Sequence, residues 1–252
     1  MRGLVTALVQ GVVGTEIRSN KAVTSPRTVS KEAPYLRSGL IPPPLPTNKR
    51  NMNIKPKCII IAGRPGSGKT ILAKKLGERL WMPVISRDEI KEGYVNTYGL
   101  KHDQLSPDTN GLVSDFFFEI VNQYLAGRIS VVIEAAFQHK VWEPRMPKIL
   151  ELACVWIVLC STDGAVAAGR HLQRGLGNPR REFFHGDKRV AHYRETGEIL
   201  PADSYAAPKF NLPTIQVSTD GEYVPCLDEI VKQIQSSDAQ RIRCTGRPGG
   251  RR

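Results

Sequence analysis

Long apolar runs are missing from this 252-residue chain. The longest, Leu152 to Cys160, has nine residues, well short of the ~18 to 20 that cross a bilayer, so no membrane partner is expected. Cysteine is scarce and shows no paired spacing: the five, at 58, 154, 160, 226 and 244, make no C-x-x-C. An odd, scattered set argues against a disulfide framework and for reduced thiols, hence a cytoplasmic setting. The five histidines form no H-E-x-x-H or similar cluster, which leaves no signature of a structural metal. Net charge is also missing where it would matter most. The chain carries +12, but residues 58 to 235 hold 21 cationic and 21 anionic side chains, so the excess lies in the two tails. Nucleic-acid binding is therefore a property to expect of the tails and not of the body.

What is present is a phosphate-loop signature. Cys58-Ile59-Ile60-Ile61-Ala62 reads as a strand covered on both faces. Gly63-Arg64-Pro65-Gly66-Ser67-Gly68-Lys69-Thr70 then fits G-x-x-x-x-G-K-[ST] at every fixed position, and Leu72, Leu76 and Leu80 form a helical stripe after it. A polyphosphate must be held without bulky side chains in the way. Glycines let backbone N–H groups turn inward, and the following helix aims its positive end at the same anion. In this pattern Lys69 reaches the β- and γ-phosphates and the Thr70 hydroxyl ligates Mg²⁺.

The rest of the chain organises itself around that loop. Residues 1 to 57 hold seven of the eighteen prolines and no sustained period, and 236 to 252 form a Gly/Arg tail; both are expected to be disordered, leaving one domain over 58 to 235. The acid-poor leader could be an organellar transit segment, or translation could start at Met52. A second strand over Trp81 to Ser86 delivers Asp88 to the carboxyl edge of the sheet, where α/β proteins bind ligands. There Asp88 accepts the proton of an attacking hydroxyl, or else Asp88 or Ser86 caps a short helix over Glu89 to Tyr94. Residues 95 to 112 read as an exposed segment, and 112 to 126 as a helix with Phe116, Phe117, Ile120, Val121, Tyr124 and Leu125 in the core. Glu134 ends a third strand, placed to manage Mg²⁺ or to pair with a neighbouring cation. One helix is expected over His139 to Leu152, a fourth strand over Ala153 to Cys160, and a helix over 163 to 176 with Arg170 and Arg174 one turn apart. Arg180 and Arg181 follow a Gly-Asn-Pro turn, so these arginines read either as a flap over a transferring phosphoryl group or as solvated surface charge. Residues 182 to 213 read as irregular, 214 to 218 as a fifth strand and 224 to 235 as a closing helix.

The run Cys58 to Arg181 resembles the small P-loop kinases of the zeta-toxin and polynucleotide-kinase-like group. Four stretches carry the likeness: Gly63 to Thr70, Ile85-Ser86-Arg87-Asp88-Glu89-Ile90-Lys91, Val131 to Phe137, and the arginine segment from Arg170. The resemblance implies a P-loop NTPase fold of kinase type, a three-layer α/β/α sandwich on a five-stranded parallel sheet, with ATP and Mg²⁺ at its carboxyl edge. It implies Asp88 as the base for an acceptor hydroxyl and Lys91 beside the acceptor, where relatives often carry an arginine; lysine keeps the charge and loses the planar fork. It also implies Thr70 and Glu134 at the metal, with glutamate where many relatives have aspartate, and Lys69, Arg170, Arg174 and Arg181 around the γ-phosphate. The expected activity is transfer of a phosphoryl group to a hydroxyl of a small-molecule or nucleoside-type acceptor. A 5′-hydroxyl polynucleotide kinase and a non-catalytic ATP-binding regulator are the alternatives.

Overall fold

The computed structural model describes residues 55–186 and 188–236, all within the compact unit Pro44–Arg252. The segments expected to be disordered therefore lie outside the described residues, apart from the few next to β1 and at the end of the last helix. Five strands, β1 (Lys57–Ala62), β2 (Val84–Ser86), β3 (Val131–Glu134), β4 (Cys154–Ser161) and β5 (Thr214–Ser218), make one all-parallel sheet in the order β2-β3-β1-β4-β5. The central strand β1 is buried along its whole length. Its side chains divide by parity, as the period of two requires. Cys58, Ile60 and Ala62 meet Phe117, Val121, Leu125, Met146 and Ile149 on one face. Ile59 and Ile61 meet Leu72, Leu76, Ile230 and Ile234 on the other. Helices α3 (Thr109–Ala126) and α5 (Met146–Leu152) thus form one outer layer, and α1 (Lys69–Leu80) and α9 (Leu227–Ser236) the other, which is the expected three-layer sandwich. Each fully buried isoleucine contributes about 1.5–3 kcal/mol.

Four local expectations are corrected. The exposed segment after β2 is mostly helical: α2 (Arg87–Tyr98) runs to Gly99, a 3-10 turn spans His102–Gln104, and α3 starts at Thr109. Phe118, not Phe116, enters the core; Phe116 is 44% exposed. The single helix after β3 is two, α4 (His139–Trp142) and α5, separated by the turn that holds Pro144. Proline there has no N–H to give the preceding turn. Beyond α6 (Gly164–Gly177) the stretch read as irregular contains α7 (Arg180–His185) and α8 (Lys188–Thr196). Among the described residues no helix is long and apolar enough to cross a membrane.

Candidate active site

The loop from Gly63 to Gly68 leaves the carboxyl end of β1 and enters α1 through Gly68, whose φ is 76°. Gly66 has φ +84°, and a Cβ there would run into the Ala167 carbonyl of α6, so only glycine lets the loop lie against that helix. No side chain caps the N-terminus of α1 and no acid sits in its first turn. Its amides therefore remain open to an anion, with the helix dipole behind them. The Ser67 hydroxyl is buried without a hydrogen-bond partner. It is packed against Gly63 inside the loop and is fully covered.

Lys69, 5% exposed, donates through Nζ to the Arg64 carbonyl at 2.9 Å and lies 4.0 Å from Glu134 Oε1. Burial lowers its pKa, and the Glu134 carboxylate pulls the other way. Strand register explains the glutamate: it is paired with Ile61 of β1 on one side and Ser86 of β2 on the other, at the sheet's carboxyl edge. Glu134 Oε2 accepts from Ser86 Oγ at 2.9 Å and from Thr70 Oγ1 at 3.4 Å. Burial raises its pKa, opposed by Lys69. Ser86 thus spends its hydroxyl on Glu134 and does not cap α2. Among the described residues no three His, Cys, Asp or Glu side chains could hold a metal alone. The Thr70 and Glu134 oxygens nonetheless fit Mg²⁺, an ion that takes one or two protein oxygens and completes its shell with phosphates and water.

Asp88 lies in the first turn of α2 without capping it. Its side chain is 54% exposed; the neighbouring protein would raise its pKa, but His185, Arg87, Lys69 and Arg181 outweigh that and hold the carboxyl below the ordinary value. A cleft of about 990 Å³ opens over the loop, lined among others by Lys69, Thr70, Asp88, Glu134, Arg174 and Arg181. A smaller cleft of about 550 Å³ lies beside it between α2, α3 and the β3–α4 loop, and the two share Asp88 and Ala136. On the opposite side a third of about 620 Å³, with Lys75 and Tyr223 in its wall, shares Gly68, Ile71 and Arg170 with the first. The cleft over the phosphate loop thus adjoins each of the other two through a different set of residues, with Asp88 at one of those boundaries.

Most of the residues singled out from sequence meet here. Pro65, Gly66, Gly68, Lys69, Thr70, Asp88, Glu134, Arg170, Arg174 and Arg181 all line the central cleft. Gly63 fits the loop's entry, where a Cβ would stand 2.6 Å from the Cys160 carbonyl. Arg64 contributes its carbonyl, to Lys69 and to Ser67 N at 3.2 Å. Arg170 donates to the Asp220 carbonyl at 3.0 Å, which holds it at the boundary with the third cleft. Lys91 is 3% exposed, lines none of the three clefts and has its Nζ 3.4 Å from His102 Nδ1. Arg180 is exposed and outside the central cleft, unlike its neighbour Arg181.

Sequence reasoning missed the segment between α8 and β5. Tyr205 accepts a hydrogen bond from Gly63 N at 3.0 Å and donates to the Phe137 carbonyl at 3.3 Å, so one hydroxyl ties the phosphate loop to the wall of the second cleft. Burial pushes its pKa up to about 12, so it stays protonated and able to donate. Arg189 holds the same segment through the Pro201 carbonyl at 2.9 Å and Asp203 at 2.8 Å. No local pattern marks these residues, since Tyr205 meets partners 142 and 68 positions away.

A glycine-rich loop on the central strand of a sheet ordered 2-3-1-4-5 defines a P-loop protein with a kinase-like fold. The chain belongs to the AAA_33 family, described as AAA domain, whose profile matches residues 58–195. A solved structure of a candidate kinase from Chloroflexus aurantiacus is 21% identical over 72% of this chain and 98% of its own, with a TM-score of 0.59. More distant are a gluconokinase from Sinorhizobium meliloti (16% identity, 74% and 94% covered, TM-score 0.41) and the Mycobacterium tuberculosis APS kinase in complex with AMPPNP and APS (17%, 73% and 97%, 0.44). At these identities the first supports the fold alone, and the other two carry no argument. No curated protein matches the sequence.

Proposed function

We propose that the protein is an ATP-dependent phosphotransferase that moves the γ-phosphoryl group to a hydroxyl of a small-molecule or nucleoside-type acceptor. The observation that carries this reading is the position of Asp88 in the wall common to the phosphate cleft and the cleft beside α3. The order of the clefts gives the reaction its direction. The nucleoside occupies the side of Tyr223, Lys75 and Arg170, its phosphates follow the loop amides and Lys69, and the acceptor enters from the side of α2 and α3. Asp88, ionised at neutral pH, takes the proton of the acceptor hydroxyl as its oxygen bonds to the γ-phosphorus and the bond to the β-phosphate oxygen breaks, leaving ADP. Lys69, Arg174 and Arg181 balance the charge on the transferring group. Thr70 and Glu134 would hold Mg²⁺, which neutralises phosphate charge, and the Ser86 hydroxyl fixes the carboxylate that does so.

The test is incubation of the full chain with γ-labelled ATP and pooled hydroxyl compounds, followed by identification of the labelled product. Transfer that disappears in Lys69→Ala supports the reading. Tight, Lys69-dependent ATP binding with no labelled acceptor would replace it with a nucleotide-binding regulator.

A further inference from the structure

The phosphate cleft and its neighbour differ in how their charges are balanced. In the central cleft six cations, Lys69, Arg170, Arg174, Arg181, Lys188 and Arg189, face three carboxylates, Asp88, Glu134 and Asp203. That excess suits a polyphosphate. The neighbouring cleft has two cations and two carboxylates in its wall, and they are matched in place. Arg145 Nη2 is paired with Asp115 Oδ1 and its guanidinium lies over the Phe118 ring, 5.5 Å from the centroid. Arg87 Nη1 lies 3.5 Å from Asp88 Oδ1, and its Nη2 donates to Asn110 Oδ1 at 3.0 Å and to the Asn110 carbonyl at 3.3 Å. Lys91 of α2 is buried outside this wall, with its Nζ 3.4 Å from His102 Nδ1.

We propose that the acceptor is a small polyhydroxylated molecule of zero net charge, selected by the Arg145–Asp115 and Arg87–Asp88 pairs between α2, α3 and α5. The inference rests on the phosphotransferase reading of the same site. An anionic acceptor would need a cation to itself, and each guanidinium in this wall already faces a carboxylate; a second anion would sit beside Asp88 and Asp115 as well as the arginines. A 5′-hydroxyl oligonucleotide would bring phosphates next to the reacting end and depends on cations to hold them. A polyol meets both kinds of polar group it needs. Asp115, Asn110 Oδ1 and the Ser114 hydroxyl, whose own proton goes to the Asn110 carbonyl at 2.7 Å, accept hydrogen bonds, the guanidinium N–H groups donate, and Phe137, Val141 and Pro144 cover C–H faces. The size, about 550 Å³, is that of a small-molecule site.

The experiment uses the full chain, Mg²⁺ and γ-labelled ATP in four arms: neutral sugars and polyols, sugar acids, sugar phosphates, and single-stranded oligonucleotides with a 5′-hydroxyl. The neutral arm should contain the best substrate, with kcat/KM at least about tenfold above any in the charged arms, a modest discrimination for charge placed in a half-exposed site. Asp115→Asn uncovers Arg145. It should narrow the neutral-to-acid selectivity ratio by about tenfold, because a carboxylate on the acceptor can then take the place of the missing one. A best substrate in any charged arm overturns the proposal and leaves phosphotransfer standing. A selectivity ratio unmoved by Asp115→Asn overturns the role of the pair. A blank in all four arms with ATP still bound removes phosphotransfer itself, and the acceptor class with it.

Discussion

Replacing Asp88 by asparagine keeps the shape of the side chain and removes the one carboxylate common to the two clefts. Positioned general bases contribute about 10²–10⁴ in rate. At about 1.4 kcal/mol per decade that is about 3–5 kcal/mol of barrier. Asp88→Asn should therefore lower kcat by about two to four decades with the best acceptor. Nucleotide affinity should hold or tighten, since three positive groups (Arg87, Lys69 and Arg181) lose an anion that competed with phosphate. Stability should change little. Asp88 caps nothing, and its charge in the first turn of α2 is worth about 0.3–1 kcal/mol, or about 1–4 °C in Tm for a domain of this size. The pH dependence follows from the same neighbours. With a folded pKa held below the ordinary 3.8, Asp88 stays ionised through the neutral range, so its function and its small contribution to stability are both intact above that value and are lost only as pH falls below it. Steady-state kinetics with labelled ATP, nucleotide titration and thermal melting measure all three quantities. A variant kcat within about threefold of the parent, or a rate loss matched by lost nucleotide affinity, would refute the base assignment.

Lys69→Ala should lower transfer by at least about 10²–10³, the scale of a removed preorganised charge stabiliser, and weaken ATP binding in the same titration. Gly66→Ala forces a side chain into positive φ and against the Ala167 carbonyl; about 1–3 kcal/mol of strain should appear in urea unfolding, together with loosened nucleotide binding. Tyr205→Phe preserves the ring and leaves the Gly63 N–H without its acceptor, costing about 1–3 kcal/mol by urea unfolding; an unchanged midpoint would show that water replaces the hydroxyl.

The central strand, the loop and its helix were legible because each is a local pattern: a β-branched run, three glycines at set spacing, and leucines four apart. Arg170 and Arg174 were legible in the same way, as helix positions one turn apart. Lys91 shows where such patterns end. It stands three residues after Asp88 on α2, yet the 3-10 turn at His102 folds over it, a contact no spacing along α2 encodes. The stretch 182–213 looked irregular since α7 and α8 are short and polar, and α8 buries only Val190. Such helices form against what they dock on: His185 with Glu92 at 2.8 Å, and Glu182 with Lys101 at 3.3 Å.

Residue order alone settled that a glycine turn would join the end of a buried strand to a helix, because strand, turn and helix each obey rules reaching only a few positions. Which side chains gather around that turn was decided by folding in three dimensions. Parallel register sets Glu134 between Ile61 and Ser86, helix docking sets Gly66 against Ala167, and a distant tyrosine closes the gap between two loops. Contacts of that range depend on how the sheet orders its strands, and only the folded chain carries that information.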